Sequence, residues 1–135
     1  MNPIKQGAVV FGGVCGFVVV QADRGMLPAW LQGYRSIPFG DKLGHFVLVG
    51  LLAFLINLAL EARSIRIGGR VILSGSFYVS IGVLLEEFSQ LAVPTRSFSL
   101  SDLVADFLGI WMAGIWVRRV CRGRIGAGSP GTPPL

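Results

Sequence analysis

The chain is 135 residues long, 53% hydrophobic and only 14% charged, with a mean hydropathy of +0.68. An ordinary soluble domain is about 25% charged, so these few charges cannot cover a water-facing surface, and an ordinary soluble enzyme, a disordered chain and a disulfide-stapled secreted domain are all excluded. The net charge of +5 comes from basic residues that flank apolar runs. They do not form one basic face, so a membrane orientation signal is expected and nucleic acid is not.

Four apolar stretches follow in chain order. The first, Gly7 to Val20, is uncharged and short, and Ile4 and Ala22 extend it. It also reads as a signal peptide, with Lys5 ahead of the apolar run and Val20-Gln21-Ala22 as a small-residue cleavage site. Residues 21–42 hold Gly25, Pro28, Gly33, Pro38 and Gly40 and read as a loop, with Trp30 and Tyr34 suited to a membrane interface. The second stretch runs from Leu43 to Leu60, interrupted by His45 and Asn57. Residues 61–70, with Arg63, Arg66, Arg70 and Gly68-Gly69, read as a linker. The third stretch runs from Val71 to Val93 and carries Glu86, Glu87 and Gln90. A short loop with Pro94 and Arg96 precedes the fourth, Leu100 to Val117, which carries Asp102 and Asp106 near its start. Each stretch is near the ~20 residues that span a bilayer. The expected fold is an all-α, four-helix transmembrane bundle over residues 1–121, with a disordered Gly/Pro/Arg-rich tail over 122–135.

Counting Lys and Arg by loop sets the orientation. Lys5, the three arginines of the second linker, and Arg118, Arg119, Arg122 and Arg124 lie on one side; Arg24, Arg35, Lys42 and Arg96 lie on the other. Eight against four puts both termini of a multi-pass membrane chain in the cytoplasm under the positive-inside rule. Cys15 and Cys121 fit no metal or redox spacing and are expected at different depths, unpaired.

With that topology every acid within the apolar stretches, and the single histidine, falls at one depth toward the outer face. Asp41 and His45, Glu86 and Gln90, and Asp102 and Asp106 are each four apart and so share a helix face. A charged side chain deep in a bilayer costs about 2.5–3.5 kcal/mol, so such a cluster needs partners or water and reads as a site. Helix gluing by polar pairs is the competing explanation. Ser99 with Asp102 also forms a Ser-x-x-Asp capping box. No metal is expected, because the set lacks a second His or a Cys group, with a carboxylate-rich oxygen site at His45 as the minor alternative; neither a hydrolase elbow nor a phosphate loop is present. Among small residues, Gly12 and Gly16 form a G-x-x-x-G that permits packing within one chain or between copies. Ala105, Gly109 and Ala113 repeat every four residues.

Asp41-Lys42-Leu43-Gly44-His45 opening a helix, then Glu86-Glu87-Phe88-Ser89-Gln90, then Arg96-Ser97-Phe98-Ser99-Leu100-Ser101-Asp102 before Gly109, resembles the VanZ-like family of small bacterial membrane proteins over about residues 8–120. The chain departs from that family's pattern at Asp106, where the family usually carries Asn. The resemblance implies a four-helix integral membrane protein and a link to teicoplanin-type glycopeptide resistance.

The leading functional expectation is an outward polar pocket that binds a lipid headgroup or cell-wall precursor through Lys42, Glu87, Gln90, Arg96, Ser99, Asp102 and Asp106. The first alternative is a membrane-embedded enzyme acting on an envelope lipid or precursor. It would use His45 as acid/base, oriented by Asp41, with Glu86 or Glu87 as partner. The second alternative is a structural subunit. No cofactor is expected, and the expected partners are membrane lipids.

Overall fold

A computed structural model describes residues 2–23, 26, 29–30, 33, 37–92, 94 and 98–126. The chain is mostly helical, with α1 (Pro3–Asp23), α2 (Gly40–Ala59), α3 (Ser74–Ser89) and α4 (Leu100–Gly126). Two of these are long and apolar enough to cross a membrane, α2 over Gly40–Ala59 and α4 over Leu100–Arg122. The apolar part of α1, Pro3–Val18, and the 16-residue α3 are shorter.

The chain is mostly helical, as expected, but a short hairpin that the sequence reading did not place is added to the helices. Residues expected to be linker and the start of the third apolar stretch form a hairpin, β1 (Ser64–Ile67) and β2 (Arg70–Leu73), paired antiparallel from Ser64↔Leu73 to Ile67↔Arg70. The physical reason is local. β-branched Ile65, Ile67, Val71 and Ile72 favour the extended backbone. Gly68 (φ 56°) and Gly69 (φ 80°) both take the left-handed conformation that a two-residue hairpin turn needs. Helix α3 therefore begins at Ser74, three residues later than the apolar run. Its first turn is tied back where the Ser74 backbone N–H and Oγ both donate to the Arg63 carbonyl at 2.8 and 2.9 Å. At the other end of the chain, α4 continues through Arg122 to Gly126. The opening of the segment expected to be a disordered tail is thus helical; residues 127–135 lie outside the described residues.

The helix directions follow from the contacts. Lys42 meets Asp102, His45 meets Asp106 and Gly50 meets Gly109, so α2 and α4 run parallel, side by side. The close approach rests on two glycines. A Cβ on Gly50 would lie 3.1 Å from the Gly109 carbonyl oxygen, and one on Gly109 would run into the Phe46 carbonyl. Ala53, Ile110, Ala113 and Val117 continue the seam as buried residues. The four-residue spacing of Ala105, Gly109 and Ala113 is thus used, as a groove that admits a neighbouring backbone. Helix α3 runs the opposite way. Asn57 near the end of α2 bonds Ser76 at the start of α3, and Glu87 near the end of α3 bonds Ser99 just before α4. In α1, a Cβ on Gly12 would stand 3.7 Å from Leu52 Cδ1 of α2, whereas one on Gly16 would meet nothing within 4 Å.

Burial is inverted relative to a water-soluble domain. The largest fully buried side chains are Glu87, Val117, Asn57 and Asp106, while Phe17, Leu43, Leu51, Leu85, Phe88, Trp111 and Trp116 are exposed. Only 11% of the α2 span and 28% of the α4 span is buried inside the chain. A core helix of a soluble protein would be covered, and large contiguous apolar surface is not left in water.

Candidate functional site

The site is built by the parallel pairing of α2 and α4, capped by the end of α3. The Ile37-Pro38-Phe39-Gly40 turn, closed by the Gly40 N–H on the Ile37 carbonyl at 2.9 Å, starts α2. Asp41 and Lys42 thereby fall in its first turn and His45 one turn on. Ser99 starts α4: its Oγ accepts from the Asp102 N–H at 3.3 Å, a helix N-cap. The Ser-x-x-Asp box expected from sequence is only half local. The Ser99 N–H goes across to Glu87 Oε1 at 2.6 Å, so a carboxylate of α3 takes the reciprocal position and Asp102 is released for other use.

Asp102 uses that freedom on Lys42, whose Nζ donates to Oδ1 at 2.9 Å; the two side chains are 38% and 14% exposed. One turn deeper, His45 Nδ1 lies 3.0 Å from Asp106 Oδ1 and 3.3 Å from Oδ2. The Asp106 side chain is only 2% exposed and that of His45 21%. The second pair is therefore shielded and the first is half open. Gln90 Nε2 donates to Glu86 Oε1 at 2.8 Å and to Glu87 Oε2 at 3.2 Å. Gln90 and Glu87 are both buried.

The sequence-derived residues thus gather at one end of the bundle, but with partners that spacing alone did not assign. Asp41 was expected to orient His45; the ring's Nδ1 instead faces Asp106 of α4. Glu86 and Glu87 engage Gln90 and the start of α4. Arg96, the expected anion-holding cation, lies outside the described residues. With Nδ1 occupied, the second ring nitrogen of His45, Nε2, is the one left for chemistry. Asp41, His45 and Asp102 each offer a metal-ligand type of atom, all within 4.8 Å of one another, although Lys42 already supplies a positive charge on Asp102. Among the described residues no buried side-chain nitrogen or oxygen lacks a hydrogen-bond partner.

A second polar contact at the far end of α2 was not singled out from sequence. Fully buried Asn57 donates through Nδ2 to Ser76 Oγ at 2.8 Å and accepts the Ser76 N–H on Oδ1 at 3.0 Å. A Cβ on Gly75 would lie 2.5 Å from Asn57 Oδ1, so glycine is what lets α3 start against it. The available signal was an Asn inside an apolar run together with a Ser-Gly-Ser helix start.

No family model, no curated protein and no solved structure matches this chain.

Proposed function

We propose that this chain is a VanZ-like integral membrane protein of the bacterial inner membrane that crosses it four times with both termini inside. We further propose that its outward polar end is an acid/base site for the charged part of an envelope lipid or cell-wall precursor. The observation that carries the reading is the His45–Asp106 pair. A nearly buried carboxylate fixes one ring nitrogen, and ligand-type atoms of His45, Asp41 and Asp102 lie within 4.8 Å of one another beside the half-open Lys42–Asp102 pair. That is how a histidine is set up to move protons. Lys42 supplies a positive charge at the opening for a phosphate or carboxylate.

Topology adds support. Two parallel helices of spanning length in one chain require the segment between them to return across the same thickness, and α3 runs that way. At ~1.5 Å per residue, its 16 residues cover about 24 Å, a span that the 3₁₀ turn Gln90–Ala92 extends and local bilayer thinning accommodates.

The test is a lipid and precursor profile of bacterial cells producing the wild type or His45→Gln at matched membrane levels, with teicoplanin susceptibility measured alongside. The wild type is expected to shift one envelope lipid or precursor pool and His45→Gln to leave it unshifted. An equal shift by His45→Gln sinks the acid/base role. A structural clamp is the second reading, favoured by the full satisfaction of the buried polar groups. It predicts that substitutions at His45 and Asp102 change membrane abundance alone.

A further inference from the structure

The other end of the bundle holds a groove that the polar site does not use. The strand β2 and the first turns of α3 form one wall and α4 the other, enclosing about 320 Å³. Leu73, Phe107, Ile110 and Trp111 make it apolar along its length. Its two hydroxyls add little polarity, because Ser76 Oγ accepts from Asn57 and Ser80 Oγ donates to the Ser76 carbonyl at 2.8 Å. Gly114 keeps it open, since a Cβ there would stand 3.8 Å from Leu73 Cδ1, in ordinary contact, and anything longer would project into the space.

The mouth is basic. Arg118 lines it and places one Nη2 donor on the Val71 carbonyl at 3.3 Å, one of the five N–H donors of its fork. Arg66 pairs directly opposite Val71 in the hairpin, Arg70 precedes Val71, and Arg122 lies one turn beyond Arg118 on the same face of α4. All four arginines are exposed. An apolar slot lined at one end by the Arg118 guanidinium, on a surface where Arg66, Arg70 and Arg122 are exposed, matches one ligand chemistry: an acyl chain joined to a phosphate.

We propose that the α3/α4 groove is a binding site for one anionic diacyl phospholipid, its chain lying against Trp111 and Gly114 and its phosphate held by Arg118. The proposal rests on the membrane reading above but not on any chemistry at His45. A ring of Arg at a membrane surface attracts anionic lipid without selecting a position; the groove beside Arg118 supplies the position.

The test places the full-length protein in bilayers with Trp30→Phe and Trp116→Phe, which leaves Trp111 as the sole tryptophan. Its fluorescence is titrated with brominated-chain phosphatidylglycerol and, separately, brominated phosphatidylcholine with the same chains. Phosphatidylglycerol is expected to quench at about fivefold lower mole fraction, the selectivity of roughly one basic contact at a membrane surface, and to saturate. Arg118→Gln should bring the two lipids together. Gly114→Leu should remove the saturable phase, with Ser80→Leu as the alternative filling variant where Gly114→Leu fails to accumulate. Equal quenching by the two lipids in the parent protein overturns the site and leaves the membrane reading intact. So does selectivity that survives Arg118→Gln. No quenching by either lipid overturns both.

Discussion

His45 and Lys42 make similar contacts on paper, but their surroundings give them different weights. The Lys42–Asp102 pair has a side chain 38% exposed, and solvent screening leaves open ion pairs little weight in stability. Asp106 is almost wholly enclosed, and removing the partner of a buried ionised group costs about 3–5 kcal/mol. His45→Ala is therefore expected to lower the unfolding midpoint in detergent clearly more than Lys42→Ala does. The pair His45→Leu/Asp106→Leu is expected to recover most of that loss, because no unpaired charge stays behind. A double variant no more stable than His45→Ala would show that Asp106 does not depend on His45. Asp106→Asn is expected to fold, since an amide oxygen still accepts from Nδ1–H; a drop in midpoint as large as that of Asp106→Leu would count against this geometry.

At the scale of elements, two close approaches hold the helices in place. Gly109 sits against the backbone of α2 at Phe46 and Gly50. Gly109→Val is expected to push α4 off α2 and cost about 1–3 kcal/mol or more, as overpacking does. It would disturb both ion pairs at once, whereas Gly16→Val, with nothing within 4 Å, is expected to be nearly neutral in the same unfolding measurement. The hairpin obeys a different rule. Gly69→Ala places a side chain at φ 80°, which L residues resist by roughly 1–2 kcal/mol. Because the turn is exposed, that effect should stay local and leave α2–α4 packing unchanged. The hairpin was hidden in the sequence because Val71–Leu73 is continuous with the apolar run of α3, and a short apolar run reads equally as strand or helix. The local marks of the change were Gly68-Gly69 between two β-branched runs and Ser74, Gly75 and Ser76, which break the apolar run.

The whole molecule turns on one relation, the parallel direction of α2 and α4. It brings Asp41, Lys42 and His45 to the same end as Asp102 and Asp106, and Asn57 and Arg118 to the other. Single cysteines at Ser101 and at Gly68, in a Cys15→Ser/Cys121→Ser background, are expected to be labelled by an impermeant thiol reagent from opposite sides of the membrane, Ser101 from outside. Labelling of both from one side would remove the proposed topology. Both native cysteines are free, so their removal breaks no bridge.

The sequence by itself determined where the apolar segments lie and that the acids crowd toward the ends of two of them. Those features depend only on residue type and order, through hydropathy and the 3.6-residue repeat. Only the tertiary structure decided which carboxylate serves which partner: Asp106 for His45, Asp102 for Lys42, and Glu87 for the Ser99 N–H. Four-residue spacing puts two side chains on one face but does not say which neighbour that face meets. The neighbour was chosen by Gly50 and Gly109, whose missing side chains let two backbones touch.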